Sequence, residues 1–135
     1  MIMKEQKLIT SNALKELPQA KSEIAQAKKE DALDIFNSIP MPREKNEDWR
    51  YTPIEKLKLE NFEPFESKVK IEATEIEPDL LNHGVILTDI NSAIEKYPAA
   101  LNYFFKGARI DKDKFSSLNA SYFTHGYFLY IPKNL

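Results

Sequence analysis

The stretch Asp111-Lys112-Asp113-Lys114-Phe115-Ser116-Ser117-Leu118-Asn119-Ala120-Ser121-Tyr122-Phe123-Thr124-His125-Gly126-Tyr127-Phe128-Leu129-Tyr130-Ile131 changes its period part-way along. Phe115, Leu118, Tyr122 and Phe123 recur at the spacing of one buried helical stripe, with Asp111 placed to cap it and Gly126 to stop it. From Tyr127 the period falls to two. Tyr127, Leu129 and Ile131 lie on one face of a strand, and Phe128 and Tyr130 on the other. Large apolar side chains on both faces demand cover from both sides, and such a strand left at an edge is a site for pairing with another chain. The expectation is a polypeptide that runs on past Leu135. Helix followed by strand in one short span also points to an α+β fold.

Upstream the same alternation of elements appears. Gly84 to Thr88 is a β-branched and aliphatic run with the character of a short buried strand. Asp89 then caps a helix that must stop before Pro98, because the residue preceding a proline is driven out of the helical region. Pro98 opens a second helical run in which Leu101, Phe104 and Phe105 form an apolar triplet, and Gly107 is expected to supply a left-handed stop.

Towards the N-terminus, Gln19 to Asn37 contains good helix formers without Gly or Pro, and Ala25, Ala32, Leu33 and Phe36 fall on one side. Pro40 and Pro42 end this helix. Ser11 to Leu17 reads as a helical turn interrupted by Pro18, which leaves residues 1–18 as a frayed arm and 19–135 as a single domain. Thr52, Pro53 and Glu55 read as cap, first residue and reciprocal capping-box partner of a short helix ending near Leu57. Between Glu60 and Pro78, glutamates and prolines surround one alternating run, Lys68-Val69-Lys70-Ile71-Glu72, which reads as an edge strand or connector.

The 135 residues, 42% hydrophobic and 11% aromatic, suffice for one domain with a real core. Nineteen basic against 21 acidic residues give a net charge of -2. No broad positive field exists to hold nucleic acid or an anionic membrane. The chain has no cysteine, which removes disulfides, thiolate nucleophiles and the usual ligands of zinc and iron–sulfur clusters. No stretch approaches the roughly 20 apolar residues of a membrane span, and Met1 to Lys7 lacks the apolar run of a signal peptide. A cytoplasmic protein is expected.

Chemistry-bearing patterns are sparse. His83 and His125 each precede a glycine at a turn or helix end and lack the ligand set of a metal site. Asp111 and Asp113 resemble a calcium loop only superficially, since no glycine or bidentate glutamate follows at the required spacing. The three glycines are too scattered for a phosphate loop, and no serine sits in a nucleophile elbow. Catalytic, cofactor-binding and metal-ligating residues are therefore expected to be none, and the chain is not expected to be an enzyme. The candidate interface residues are Trp49, Arg50 and Tyr51, of the types favoured as interface anchors, with Tyr127, Leu129 and Ile131 of the terminal strand. The plainer reading of Trp49 and Tyr51 is that they plug the junction between the long helix and the short one.

Three stretches together resemble the SufB/SufD family. Glu44-Lys45-Asn46-Glu47-Asp48-Trp49-Arg50-Tyr51-Thr52-Pro53 is similar to an acidic-Trp-basic-Tyr-Thr-Pro signature of SufD-type members. Gly84-Val85-Ile86-Leu87-Thr88-Asp89-Ile90, running into Ala93, Tyr97 and Pro98, resembles the strand and helix that precede the family's central domain. Asp113-Lys114-Phe115-Ser116-Ser117-Leu118-Asn119-Ala120, followed by Gly126 to Lys133, resembles its Phe-x-x-Leu-Asn motif and first core strand. The likeness covers roughly Ala32 to Leu135, and Asn134 departs from it where the family usually has Gly.

The resemblance implies a mainly helical α+β N-terminal domain with a few short strands, leading into the first strand of a β-helix that this chain does not contain. It implies a scaffold subunit of the SUF iron–sulfur cluster assembly complex, with SufB-like and SufC-like subunits as partners in the full-length protein. The complex assembles the clusters. The residues credited with that work fall beyond Leu135, so the resemblance transfers no cofactor site onto this chain. The competing expectation is a small interaction module that forms a homodimer, or captures a partner, through its terminal strand.

Overall fold

A computed structural model describes residues 20–59 and 75–135. The proposed turn at Ser11 to Leu17, the frayed arm at 1–18 and the strand at Lys68 to Glu72 lie outside the described residues.

Helix α1 spans Glu23–Ser38 and buries Ala25, Lys29, Ala32, Leu33 and Phe36, the steps of four, three, one and three that trace one face. It begins four residues later than the pattern suggested. Ala20 lies outside the helix and its N–H donates to the Gln26 side-chain oxygen at 3.2 Å. The helix ends at Ile39, which is extended (φ -85, ψ 129) as the residue before Pro40 must be.

Short 3-10 turns at Glu47–Trp49 and then Ile54–Lys56 follow. The second corrects the capping-box expectation. Pro53 occupies the cap with ψ 57, and no side chain caps the turn. A three-residue turn never builds the full helical turn across which Thr52 and Glu55 would exchange hydrogen bonds. Ile54 alone of this turn is buried.

The segment 75–135 begins with α2, Pro78–Asn82, a short helix the sequence reading did not separate from the glutamate-rich linker. Proline at its first position needs no N–H partner there. Gly84 then takes φ +86. A Cβ at that position would also meet Pro132 Cγ at 3.4 Å, so Gly84 brings the entry to β1 close to the residues that follow β2. Strand β1 is Ile86–Asp89, shifted two residues from the expected start, with the buried Val85 just before it.

Asp89 ends β1 and caps α3, Ile90–Lys96, its carboxylate accepting from Ser92 N–H at 2.9 Å. Pro98–Tyr103 is a 3-10 helix and not a second α-helix. Its left-handed residue is Phe105 (φ 63), whereas Gly107, expected in that role, has no positive φ. The strain of a bulky residue there is offset by packing. The rings of Phe104 and Phe105 both reach Phe123, at 6.2 and 6.5 Å between centroids.

Helix α4 is Lys114–Tyr122, capped by Asp113 and not by Asp111. Asp113 Oδ1 accepts from Phe115 N–H at 2.8 Å and Ser116 N–H at 2.9 Å. Asp111 instead pairs with Arg109 at 2.9 Å. The helix stops at Phe123, in extended conformation, three residues before Gly126. Its buried face also differs from the expected aromatic stripe. Ser117, Ala120 and Ser121 are buried, while Phe115, Leu118, Tyr122 and Phe123 are half-buried on the flanks. Small residues let α4 lie close against α1, and the serine hydroxyls are satisfied within the helix, Ser117 Oγ by Lys114 O and Ser121 Oγ by Leu118 O.

Strand β2, Tyr127–Tyr130, pairs antiparallel with β1 in the register Ile86 with Tyr130, Leu87 with Leu129, Thr88 with Phe128 and Asp89 with Tyr127. The fold is mainly helical with one two-stranded sheet among the described residues. Two apolar clusters form its core. Leu33 and Phe36 pack with Leu59, Leu118 and Tyr122, and Ala25, Ile94 and Leu101 pack with Ile90, Phe104 and Phe123. Helix α1 contributes to both.

Candidate interaction surface

Register decides what each face of the sheet presents. Residues directly opposite in an antiparallel pair share a face, so Ile86, Thr88, Phe128 and Tyr130 point one way and Leu87, Asp89, Leu129 and Tyr127 the other. On the first face Tyr97, restrained at the end of α3 by Pro98, stacks on Phe128 at 6.1 Å with planes 20° apart. The 3-10 helix Pro98–Tyr103 runs alongside. Between them lies a groove of about 650 Å³, walled by Tyr97, Tyr103, Phe128 and Tyr130 and lined by Ala99 and Ala100.

No charged side chain lines this groove. Tyr103 is 75% exposed and Tyr130 48%. On the opposite face Leu129 is 57% exposed, and Ile131, just past the strand, 58%. Tyr127, Leu129, Tyr130 and Ile131 are all exposed on one short ribbon, and a two-stranded ribbon is marginal alone. The sheet thus offers apolar side chains on both faces, as the period-two reading of Tyr127 to Ile131 anticipated.

Trp49, Arg50 and Tyr51 occupy a different surface. Trp49 is half-buried with its ring 5.3 Å from that of Phe115, so it packs on α4, and it lines one cavity with Ile39 and Pro40 at the end of α1. Tyr51 is 90% exposed and plugs nothing. Arg50 lies 3.6 Å from Glu47 and stands over the Tyr51 ring at 5.7 Å. A cavity of about 360 Å³ beside Trp49 is bounded by Pro40, Pro42, Asp48 and Lys112, the last two paired at 3.5 Å. Neither cavity is lined by residues of both candidate groups. The six residues singled out from the sequence therefore belong to two surfaces.

Sequence reasoning missed Tyr97, Ala99, Ala100 and Tyr103 as partners of the terminal strand. The Tyr-Pro step marked only where α3 ends, and no local pattern says that the turn beyond it returns to the sheet. Among the described residues no group of three or more His, Cys, Asp or Glu side chains is placed to hold a metal ion. His83 Nδ1 lies 2.7 Å from the Asp79 carbonyl oxygen, within its own turn. Among the described residues no helix is long and apolar enough to cross a membrane.

Shifted ionisations mark structural roles. Hydrogen bonds from Ser92 hold the Asp89 carboxyl below its ordinary range. Burial alone would raise Asp113, but the bonds from Ser116 and Phe115 outweigh it and the net shift is downward. Burial lowers Lys29 and Lys114, which sit against backbone carbonyls and aromatic rings in the α1–α4 contact.

Residues 69–135 match the family described as the SufBD protein N-terminal region. The chain is 40% identical over 63 residues to an iron–sulfur cluster assembly SufBD family protein of Trieres chinensis, covering 46% of this chain and 13% of that protein. It is 39% identical over 59 residues to the iron–sulfur cluster assembly protein SufD of Bacillus subtilis, covering 42% of this chain and 14% of the relative. The aligned stretches thus span only a small part of either relative's length. No solved structure matches the chain.

Proposed function

We propose, from the premise that residues 69–135 belong to the SufB/SufD family as its N-terminal region, that this chain is the N-terminal structural part of a SufD-like scaffold subunit working in iron–sulfur cluster assembly. Both relatives carry that assembly role in their names. The observation that carries the reading beyond the sequence match is the sheet, whose apolar side chains stand exposed on both faces. A ribbon of this kind suits a role as the first layer of a larger β structure, with further strands stacked on the exposed Tyr130 and on Leu129 and Ile131.

In this reading the chain supplies no catalytic group and no cluster ligand. Its work is to position the body of the scaffold, and SufB-like and SufC-like subunits are partners of the whole protein. A chimera tests it. The corresponding N-terminal region of the Bacillus subtilis SufD protein is replaced with residues 20–135 of this chain. Co-purification with its SUF partners and cluster loading of an iron–sulfur acceptor are then measured. Retained complex and loading are expected; a folded chimera that no longer joins the complex removes the proposal.

The same exposed strand supports a second reading, a small module that dimerises through β2 or captures an extended partner strand. Sedimentation of the chain across a hundredfold range of about 1–100 µM separates the two, because an interface with typical protein affinity populates dimers over that range. A monomer throughout eliminates the dimer.

A further inference from the structure

Lys29 is a cation set into the core. It is 5% exposed, on the α1 face that also buries Ala25, Ala32 and Leu33. Lysine at this depth is rare unless paired, and among the described residues no carboxylate pairs with it. Burial lowers its pKa, so holding the charge there is unfavourable unless specific contacts compensate. Two do. Nζ donates to the Phe123 carbonyl oxygen at 2.7 Å and stands 4.5 Å from the centroid of the Phe123 ring.

Phe123 is where the chain leaves α4, in extended conformation at φ -57, ψ 136. Its carbonyl lies past the end of the helix and finds no partner in the helical ladder. Beyond it the backbone is fastened on α3. Asn91 Nδ2 donates to the Thr124 carbonyl at 3.2 Å, and Ile90 N–H to the Gly126 carbonyl at 2.9 Å. Tyr127 then enters β2. Contacts from α1 and α3 thus hold this short segment between them, and they determine where the strand begins.

We propose that Lys29 is a positioning residue: by clamping the Phe123 carbonyl and ring to α1, it aims residues 124–126 so that β2 meets β1 in register and Phe128 stacks on Tyr97 in the apolar groove. A methionine would fill the same space without the cost of desolvating a charge, so the charge serves orientation, as a buried polar group does when it selects one packing among several. The inference stands on these contacts and does not depend on the family reading.

Amide hydrogen exchange and backbone NMR shifts on the full chain test it. In Lys29→Met, the Ile90 amide and the β1–β2 ladder amides are expected to exchange about tenfold faster or more, with α1 amides little changed. Shifts should move from Phe123 through Tyr127. Lys29→Arg, which keeps a cationic donor, is expected to restore most of the protection. Lys29→Gln, too short to reach the carbonyl, provides the same readout if Lys29→Met does not fold. Unchanged protection at Ile90 and in the ladder, or loss spread equally over α1 and the sheet, overturns the proposal.

Discussion

Lys114 Nζ lies 2.7 Å from the carbonyl oxygen of Phe36 and 2.8 Å from that of Ile39, so the first residue of α4 caps the end of α1. The same ammonium stands 4.1 Å from the centroid of the Phe36 ring. This answers the contact of Lys29 with Phe123 at the other end of the pair. Two antiparallel helices are each tied at the C-terminus by a lysine from the other, where the helix dipole favours a cation.

Lys114→Ala is expected to lower stability by about 2 kcal/mol, the scale for losing charge-assisted bonds to two carbonyls together with a cation–π contact at a half-buried site. Lys112→Ala, whose pair with Asp48 is exposed, should change it by less than about 0.5 kcal/mol. Urea midpoints rank the two, and equal effects would contradict the capping role.

The caps at Asp89 and Asp113 set an acid limit. Both carboxyls have folded pKa values lowered from the ordinary one, so the unfolded chain binds more protons and stability rises with pH across the interval between the folded and unfolded values. Their contribution is complete above the unfolded pKa of about 3.9 and is lost as pH falls through the folded values. Asp113→Ala should therefore cost about 1 kcal/mol at neutral pH, with the difference from wild type narrowing steadily below about pH 4. Denaturant titrations at pH 7 and pH 3 check this, and a larger difference at the lower pH would have the wrong sign.

Ser121 is fully buried on the face of α4 that meets α1. Leucine in its place would satisfy hydrophobic patterning yet hold the helices apart. Ser121→Leu is expected to cost roughly 1–3 kcal/mol by overpacking. Ser121→Ala, which removes only a hydroxyl bonded within its own helix, should cost less. Thermal midpoints of the two variants give the comparison, and a leucine variant as stable as alanine would show the contact to be loose.

The sequence was most informative where one local rule acted alone. The apolar face of α1, the Asp89 cap and the stop before Pro98 follow from helical spacing, capping chemistry and proline sterics, and all three are present. The period-two face assignment of Tyr127 to Tyr130 also holds. Reading failed where tertiary packing chose between local alternatives. Asp113 capped α4 while Asp111 was taken up by Arg109. Phe105 took the left-handed turn, with its ring and that of Phe104 both against Phe123, although Gly107 was the easier residue for it. The serines of α4 fall outside the expected buried stripe because nothing local announces that a neighbouring helix will cover them. Lys29 was missed for the same reason, and so was the groove, whose walls come from elements more than twenty residues apart in the chain.

The exposed ribbon gives the sharpest contrast between this chain and a larger protein containing it. Leu129 and Ile131 are 57% and 58% exposed, so Leu129→Lys with Ile131→Lys should change the stability of the isolated chain by less than about 1 kcal/mol and reduce any tendency to associate. If further strands stack on this face in the scaffold, the same two lysines become buried charges there. The double variant placed in the chimeric scaffold should then lose several kcal/mol, or fail to fold, because an unpaired buried cation costs far more than a lost methyl contact. Matched unfolding curves of chain and chimera measure the difference. Tolerance in both would mean that the face stays open to solvent, and the structural role proposed for the ribbon would be wrong even if the family assignment stands.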